Sequence, residues 1–264
     1  MLVRAMIGIL LAIVLGAGAI YLVTHVAAPR LFTHFEYARE LAPLPKRTTD
    51  AHRGDADPVN VAIIGTDAEL RTAMRLSGWV VADSLTRAAK FAIAKSVLFD
   101  LPDSTAPVSP LFLFGRQEDI AFEREVGNSA RRRHHVRFWQ ARGVLHDGRP
   151  VWIGDATFDR RAGLSHRNLH PTHHIAPNVD QERDTLMADL AHAGQLSVEF
   201  ESTGMGPRID AHNAEGDRFD TDGEMDVATI PAGNARVATP RVLSPPPAIA
   251  WKDRAWSWMA RTRD

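Results

Sequence analysis

Three segments hold most of the residue types that could do chemistry. They are Arg131-Arg132-Arg133-His134-His135-Val136-Arg137-Phe138-Trp139, Val151-Trp152-Ile153-Gly154-Asp155-Ala156-Thr157-Phe158-Asp159 and His170-Pro171-Thr172-His173-His174-Ile175, the last running on to Asp180, Glu182, Arg183 and Asp184. Neutral imidazoles with one or two carboxylates make a nitrogen and oxygen site suited to zinc or manganese. On that chemistry the metal candidates are His135, His173, His174 and Asp180. Guanidinium groups serve anions instead: Arg137 and Arg183 can hold a phosphate or carboxylate through paired N–H donors, helped by free amides at a helix start. With His135, Asp159 and Asp180 they form the ligand-binding candidates. Both uses combine in metal-assisted phosphoester hydrolysis, where a cation activates water, one carboxylate is the general base and arginines stabilise the transferring group.

Each residue also has a structural reading. His134 and His135 can be strand histidines with satisfied hydrogen bonds, and Asp180, Glu182 and Asp184 suit the first turn of a helix on dipole grounds alone. The chain has no HExxH, GxSxG or Walker loop, so no catalytic residue follows from a motif. The case for a site rests on the crowding between residues 131 and 184. The same residues would serve a non-catalytic accessory module with a protein partner in the envelope, or a pH-responsive domain whose histidines charge together below about pH 6.5.

Strands and helices must position these groups. A strand over 134–140 puts His134, Val136 and Phe138 on one face and His135, Arg137 and Trp139 on the other. Val151 to Phe158 is its expected hairpin neighbour, across Asp147-Gly148-Arg149-Pro150. Val59 to Gly65 reads as a strand, Thr66 and Glu69 as a capping box opening a helix to Leu76, and Leu85 to Leu98 as a second helix. Leu111 to Phe114 and Ile120 to Glu125 read as strands. Asn178 with Gln181 caps a helix to Ala193, closed by Gly194. Leu196 to Phe200 reads as a strand, and Asp222-Gly223 as a hairpin turn joining 218–221 to 224–230. The expected fold is therefore α+β: one soluble domain with a mixed, largely antiparallel sheet and about three helices, preceded by one transmembrane helix.

The transmembrane reading rests on Ala5 to Val23, a stretch without a charge and long enough to cross the hydrocarbon. Arg4 precedes it, and Arg30, Arg39, Lys46 and Arg47 follow. Those charges favour a cytoplasmic domain, whereas the short one-arginine tail has the form of a signal anchor that sends the domain outward. The expectation is a single-pass protein of the bacterial inner membrane with its domain on the extracytoplasmic side. The anchor spans 1–26, a juxtamembrane linker 27–57, the domain 58–232 and a tail 233–264. The tail holds Ser244-Pro245-Pro246-Pro247 and ends in a segment where Trp251, Ala255, Trp258 and Met259 share a helical face flanked by Lys252, Arg254, Arg261 and Arg263. That face fits an anionic membrane surface or the domain itself.

The totals exclude other classes. With 31 Lys and Arg against 32 Asp and Glu, no global field attracts nucleic acid. The absence of cysteine removes disulfides, thiolate catalysis and cysteine-ligated metals.

The strings RHHVRFW, VWIGDATFD and THHIAPNVDQERD, preceded by APVSPLFLFGRQEDIAF, resemble the LssY C-terminal domain family from about Pro58 to Ile230. The resemblance implies a bacterial domain of unassigned activity, found alone behind membrane helices or fused to DedA-type and phosphatidic-acid-phosphatase-type membrane domains. Those fusions imply work at the membrane on lipids, lipid-linked phosphates or envelope polymers. They transfer no catalytic residue, and this chain carries neither partner domain.

Overall fold

The computed structural model describes residues 2–23, 27–28, 31, 36–82, 111–127, 129–164, 171–251 and 253–254. The helix expected over Leu85 to Leu98, and the tail residues Ala255, Trp258 and Met259, lie outside them. The described elements are helices α1 (Leu2–Leu22), α2 (Asp67–Leu76) and α3 (Asp180–His192) and fifteen strands. In chain order the strands are β1 (Arg47–Thr49), β2 (Asp55–Pro58), β3 (Val61–Ile64), β4 (Val80–Val81), β5 (Phe112–Leu113), β6 (Arg116–Gln117), β7 (Ile120–Val126), β8 (Ser129–His146), β9 (Arg149–Leu164), β10 (Pro171–Ile175), β11 (Val198–Thr203), β12 (Arg208–His212), β13 (Arg218–Thr221), β14 (Glu224–Thr229) and β15 (Arg241–Val242).

A nine-stranded mixed sheet forms the middle layer, in the order β15-β11-β14-β3-β9-β8-β7-β4 with β10 paired to β9 beyond β3. The long hairpin β8–β9 is its spine. Asp147 and Gly148 both have positive φ, 49° and 75°, the twist a tight two-residue connection needs. Period-two alternation then sorts the spine between two layers. Val136, Phe138 and Ala156 pack under Leu70 and Met74 of α2 and Leu186 and Leu190 of α3. Trp139, Val151 and Ile153 face the other way, against Ala56, Leu111 and Leu113. Those last residues belong to, or lie beside, a small sheet of order β2-β1-β5-β6. Each fully buried side chain of this size contributes about 2 kcal/mol.

Local chemistry fixes the helices as expected. Thr66 Oγ1 accepts from the Glu69 amide while Glu69 accepts from the Thr66 amide at 2.8 Å, a complete capping box for α2. The Trp79 amide returns to Met74 O at 2.9 Å around Gly78, whose φ of 83° closes the helix. Asn178 Oδ1 accepts from the Gln181 amide at 3.2 Å at the start of α3.

Four expectations change. Residues 39–57, read as linker, form a 3-10 turn at Arg39–Leu41, strand β1 and all of β2 but Pro58, and Ala38, Leu41 and Ala56 are buried in the core. Asp222-Gly223 is not a hairpin turn: β13 pairs with β12, while β14 runs antiparallel to β11 and parallel to β3. The reason is that β14 completes the central sheet, and the backbone of Gly206 packs where a Gly223 side chain would stand. The tail is partly built in, since β15 runs parallel to β11 and Ile249 is buried. Lastly, the helix expected over Ala5 to Val23 is present as α1, with exposed side chains from Met6 to Leu22, but among the described residues no helix is long and apolar enough to cross a membrane.

Candidate functional site

The register of β8 on β9 sets Arg133 opposite Asp159, His135 opposite Thr157 and Arg137 opposite Asp155. Because alternate residues share a face, these three pairs form a continuous polar ladder on the side facing β2, and the next pair, Trp139 with Ile153, returns that face to apolar packing. All six residues are buried. Arg137 Nη1 donates to Asp155 at 2.9 Å, Arg133 Nη1 donates to Glu123 at 2.8 Å, and Arg133 Nε lies 3.6 Å from Asp159. From β10, His173 Nδ1 reaches Asp159 at 3.1 Å.

Above the ladder lies a cavity of ≈ 40 Å³, lined by Asp57, Arg137, Thr157, Asp159, His173 and Asn213 among others. That volume admits a few waters or a small polar group. β2 supplies Asp57, whose Oδ1 accepts from Asn213 at 2.9 Å. Several ladder atoms have no hydrogen-bond partner among the described residues: both ring nitrogens of His135, Nε of Arg137 and Oδ1 of Asp155. Orphans of this kind are uncommon in a buried setting.

The electrostatics divide the carboxyls. Burial pushes Asp155 well above the usual carboxylate range, against the pull of Arg137. Burial also raises Asp57, with Arg137 and Asn213 opposing and Asp217 and Asp159 adding to the rise. Burial would raise Asp159 too, but the neighbouring His173, His135 and Arg133 hold it low. His135 is driven well below its ordinary value by burial and then by Arg137, which keeps it neutral.

Of the residues singled out by sequence, the ladder and cavity unite His135, Arg137, Asp159 and His173. The others go elsewhere. His174 follows His173 along β10 and binds Asp217 at 2.7 Å instead, with its ring over Gly163. Asp180 accepts from Thr221 at 2.6 Å and from the Asp222 amide at 2.7 Å. Arg183 binds Asp222 at 2.9 Å, Asp184 at 3.0 Å and Asp226 at 3.2 Å. The metal set His135, His173, His174 and Asp180 therefore does not converge, and among the described residues no group of three or more His, Asp or Glu is placed to hold an ion.

Sequence reading did not single out Asp57, Asp155, Thr157 or Asn213 as site residues. A signal existed for Thr157 and Asp155. Two polar triplets of period two, 133/135/137 and 155/157/159, stand on segments expected to pair, and only their shared face accounts for both. Asp57, in the short strand Asp-Ala-Asp-Pro, gave no such signal.

On the helical face of the same hairpin, His134 Nδ1 lies 2.7 Å from Glu182. Burial raises Glu182 to about 9 despite Arg124, and burial with Arg124 lowers His134 to about 4, so the pair shares one proton around neutrality.

The family model described as LssY C-terminus matches residues 41–225. No curated protein matches the chain. No solved structure does either. Because the family match covers well over half of the 264 residues and includes the ladder and the named lining of the cavity, the chain belongs to the LssY C-terminus family.

Proposed function

We propose that this protein is a membrane-anchored domain of the bacterial envelope that binds a small phosphorylated ligand in the cavity beside β8 and β9. Arg137 carries the reading: a guanidinium buried to 3% exposure lines the cavity with its Nε unpartnered among the described residues. An arginine held this way presents a fixed fork to an oxyanion at little conformational cost. Thr157 and Asn213 stand beside it as hydroxyl and amide groups, and the imidazole of His173 lines the same space. Support for the anchor comes from the sequence, in which Ala5 to Val23 runs nineteen residues without a charge.

Titration of the full chain in detergent with inorganic phosphate, followed by calorimetry or phosphorus NMR, tests the binding. Arg137→Gln should weaken it by about 10- to 100-fold, the worth of one or two hydrogen bonds to a charged group. Equal affinity in wild type and variant would end this reading. For the anchor, the chain should stay with membranes through alkaline carbonate washing and leave them when residues 1–23 are removed.

A further inference from the structure

We propose that the cavity is an acid–base site, in which Asp57 is the general acid and His173, positioned by Asp159, the general base for hydrolysis of a phosphate monoester held by Arg137. This rests on the phosphate-binding reading above. The three groups come from three strands, β2, β9 and β10, and line one space. Asp159 Oδ2 stands 3.1 Å from Nδ1, within ion-pair reach, and a proton held on that side leaves Nε2 to accept one. Arg133 Nη2 lies 3.3 Å from both ring nitrogens, a long contact shared between the two. Asp57 gives Oδ1 to Asn213, which leaves Oδ2 to carry and deliver a proton.

The two carboxyls of one cavity are held in opposite states. Burial raises Asp57 with help from Asp217 and Asp159, against Arg137 and Asn213, while His173, His135 and Arg133 hold Asp159 low against its own burial. Neighbouring carboxyls pushed apart in this way take the acid role and the anionic role respectively.

In the step itself, a water oxygen bonds to phosphorus as its proton passes to His173 Nε2. The ester P–O bond breaks, and the leaving alkoxide takes the Asp57 proton. Inorganic phosphate and an alcohol result, and solvent returns the proton from the imidazolium to Asp57. Arg137 holds the phosphoryl oxygens throughout.

The test uses the full chain in detergent and two substrates, glycerol 3-phosphate and p-nitrophenyl phosphate, with phosphate or nitrophenolate release as readout. Wild type should hydrolyse both. Asp57→Asn should lose about 10²- to 10⁴-fold on the alkyl ester and less than about tenfold on the aryl ester, whose leaving group needs no proton. His173→Gln should lose both activities by a comparable factor while still binding inorganic phosphate. Asp159→Asn should lower kcat on both esters by a much larger factor than it changes KM, the mark of a lost positioning contact. Equal loss on both esters in an Asp57→Asn protein that still binds inorganic phosphate overturns the assignment of the acid. A wild type that binds phosphate and hydrolyses neither ester overturns the acid–base site and leaves the binding reading standing. A wild type that does not bind phosphate overturns both.

Discussion

The cavity behind β8 and β9 and the start of α3 are built from the same residue types and resolve their charge in opposite ways. At α3 the carboxylates close on one arginine: Arg183 is engaged by Asp222, Asp184 and Asp226, and Asp180 is taken up by Thr221 and the Asp222 amide. Beside the cavity, Arg137 has one bond to Asp155 and an unpartnered Nε among the described residues, and His135, on the same face of β8 but outside the cavity lining, has no hydrogen-bond partner among them. Density of charge is similar in the two places. What separates them is that one cluster uses its donors up on the protein and the other keeps some beside an open volume. Only the second can gain from a ligand.

Three substitutions would break or sharpen that contrast. The largest effect belongs to Arg183→Ala, which leaves the largely buried Asp226 and Asp180 without their cation and should cost about 2–3 kcal/mol by urea denaturation, with phosphate affinity in the surviving folded protein unchanged. A loss of binding instead of stability there would reverse the roles of the two clusters.

Next comes Glu182→Gln on the helical face, where a third solution operates: charge is removed by proton sharing. Glu182 titrates near 4.5 unfolded and about 9 folded, so the folded state keeps its proton and stability falls as pH rises through that interval. His134 titrates near 6.5 unfolded and about 4 folded, so its contribution rises with pH from 4 to 6.5 and offsets Glu182 over the shared range. Above 6.5 only the Glu182 slope remains. Glutamine, which imitates the protonated acid, should therefore gain about 1–2 kcal/mol on wild type between pH 6.5 and 9, seen as a flatter dependence of Tm on pH. An unchanged slope would mean that Glu182 is ionised in the fold.

The smallest effect is expected for His135→Leu. Removing two unpartnered buried nitrogens should change stability by no more than about 1 kcal/mol, since no hydrogen bond within the described residues is lost. A loss above about 2 kcal/mol would show that His135 belongs to the architecture as Arg183 does.

Alternation along β8 made one side of the site legible. The split of His134, Val136 and Phe138 from His135, Arg137 and Trp139 follows from period two alone, and the structure keeps it in two separate cores. The capping box at Thr66 was equally plain, because its partners are three residues apart. Long-range partners left weaker marks. Asp57 and Asn213 are 156 residues apart in sequence, and each sits in a stretch too short and polar to show a period. His173 and His174 look alike in the chain, yet adjacent strand positions turn them to different carboxylates, Asp159 and Asp217. Clustering in sequence therefore overstated the site at α3 and understated it at β2. Asp222-Gly223 failed for a related reason, since a turn propensity is local and strand partners are chosen by the whole sheet.

The 3-10 turn at Arg39–Leu41 has a practical meaning for handling the protein. Glu36 accepts from the Thr203 amide at 2.8 Å, the Tyr37 hydroxyl donates to Ser244 O at 2.7 Å and Glu40 meets His146, so the segment just after α1 is stitched to three distant parts of the sheet layer. Chain length then sets a leash. Residues 23–35 are all that separate α1 from these stitches, and even fully extended they reach no more than about 45 Å. If α1 lies in a bilayer, the stitched segment can stand no further than that from the end of the helix. A fragment cut at residue 58 would lose the stitches together with Asp57, whereas one beginning before Glu36 would keep the pocket whole.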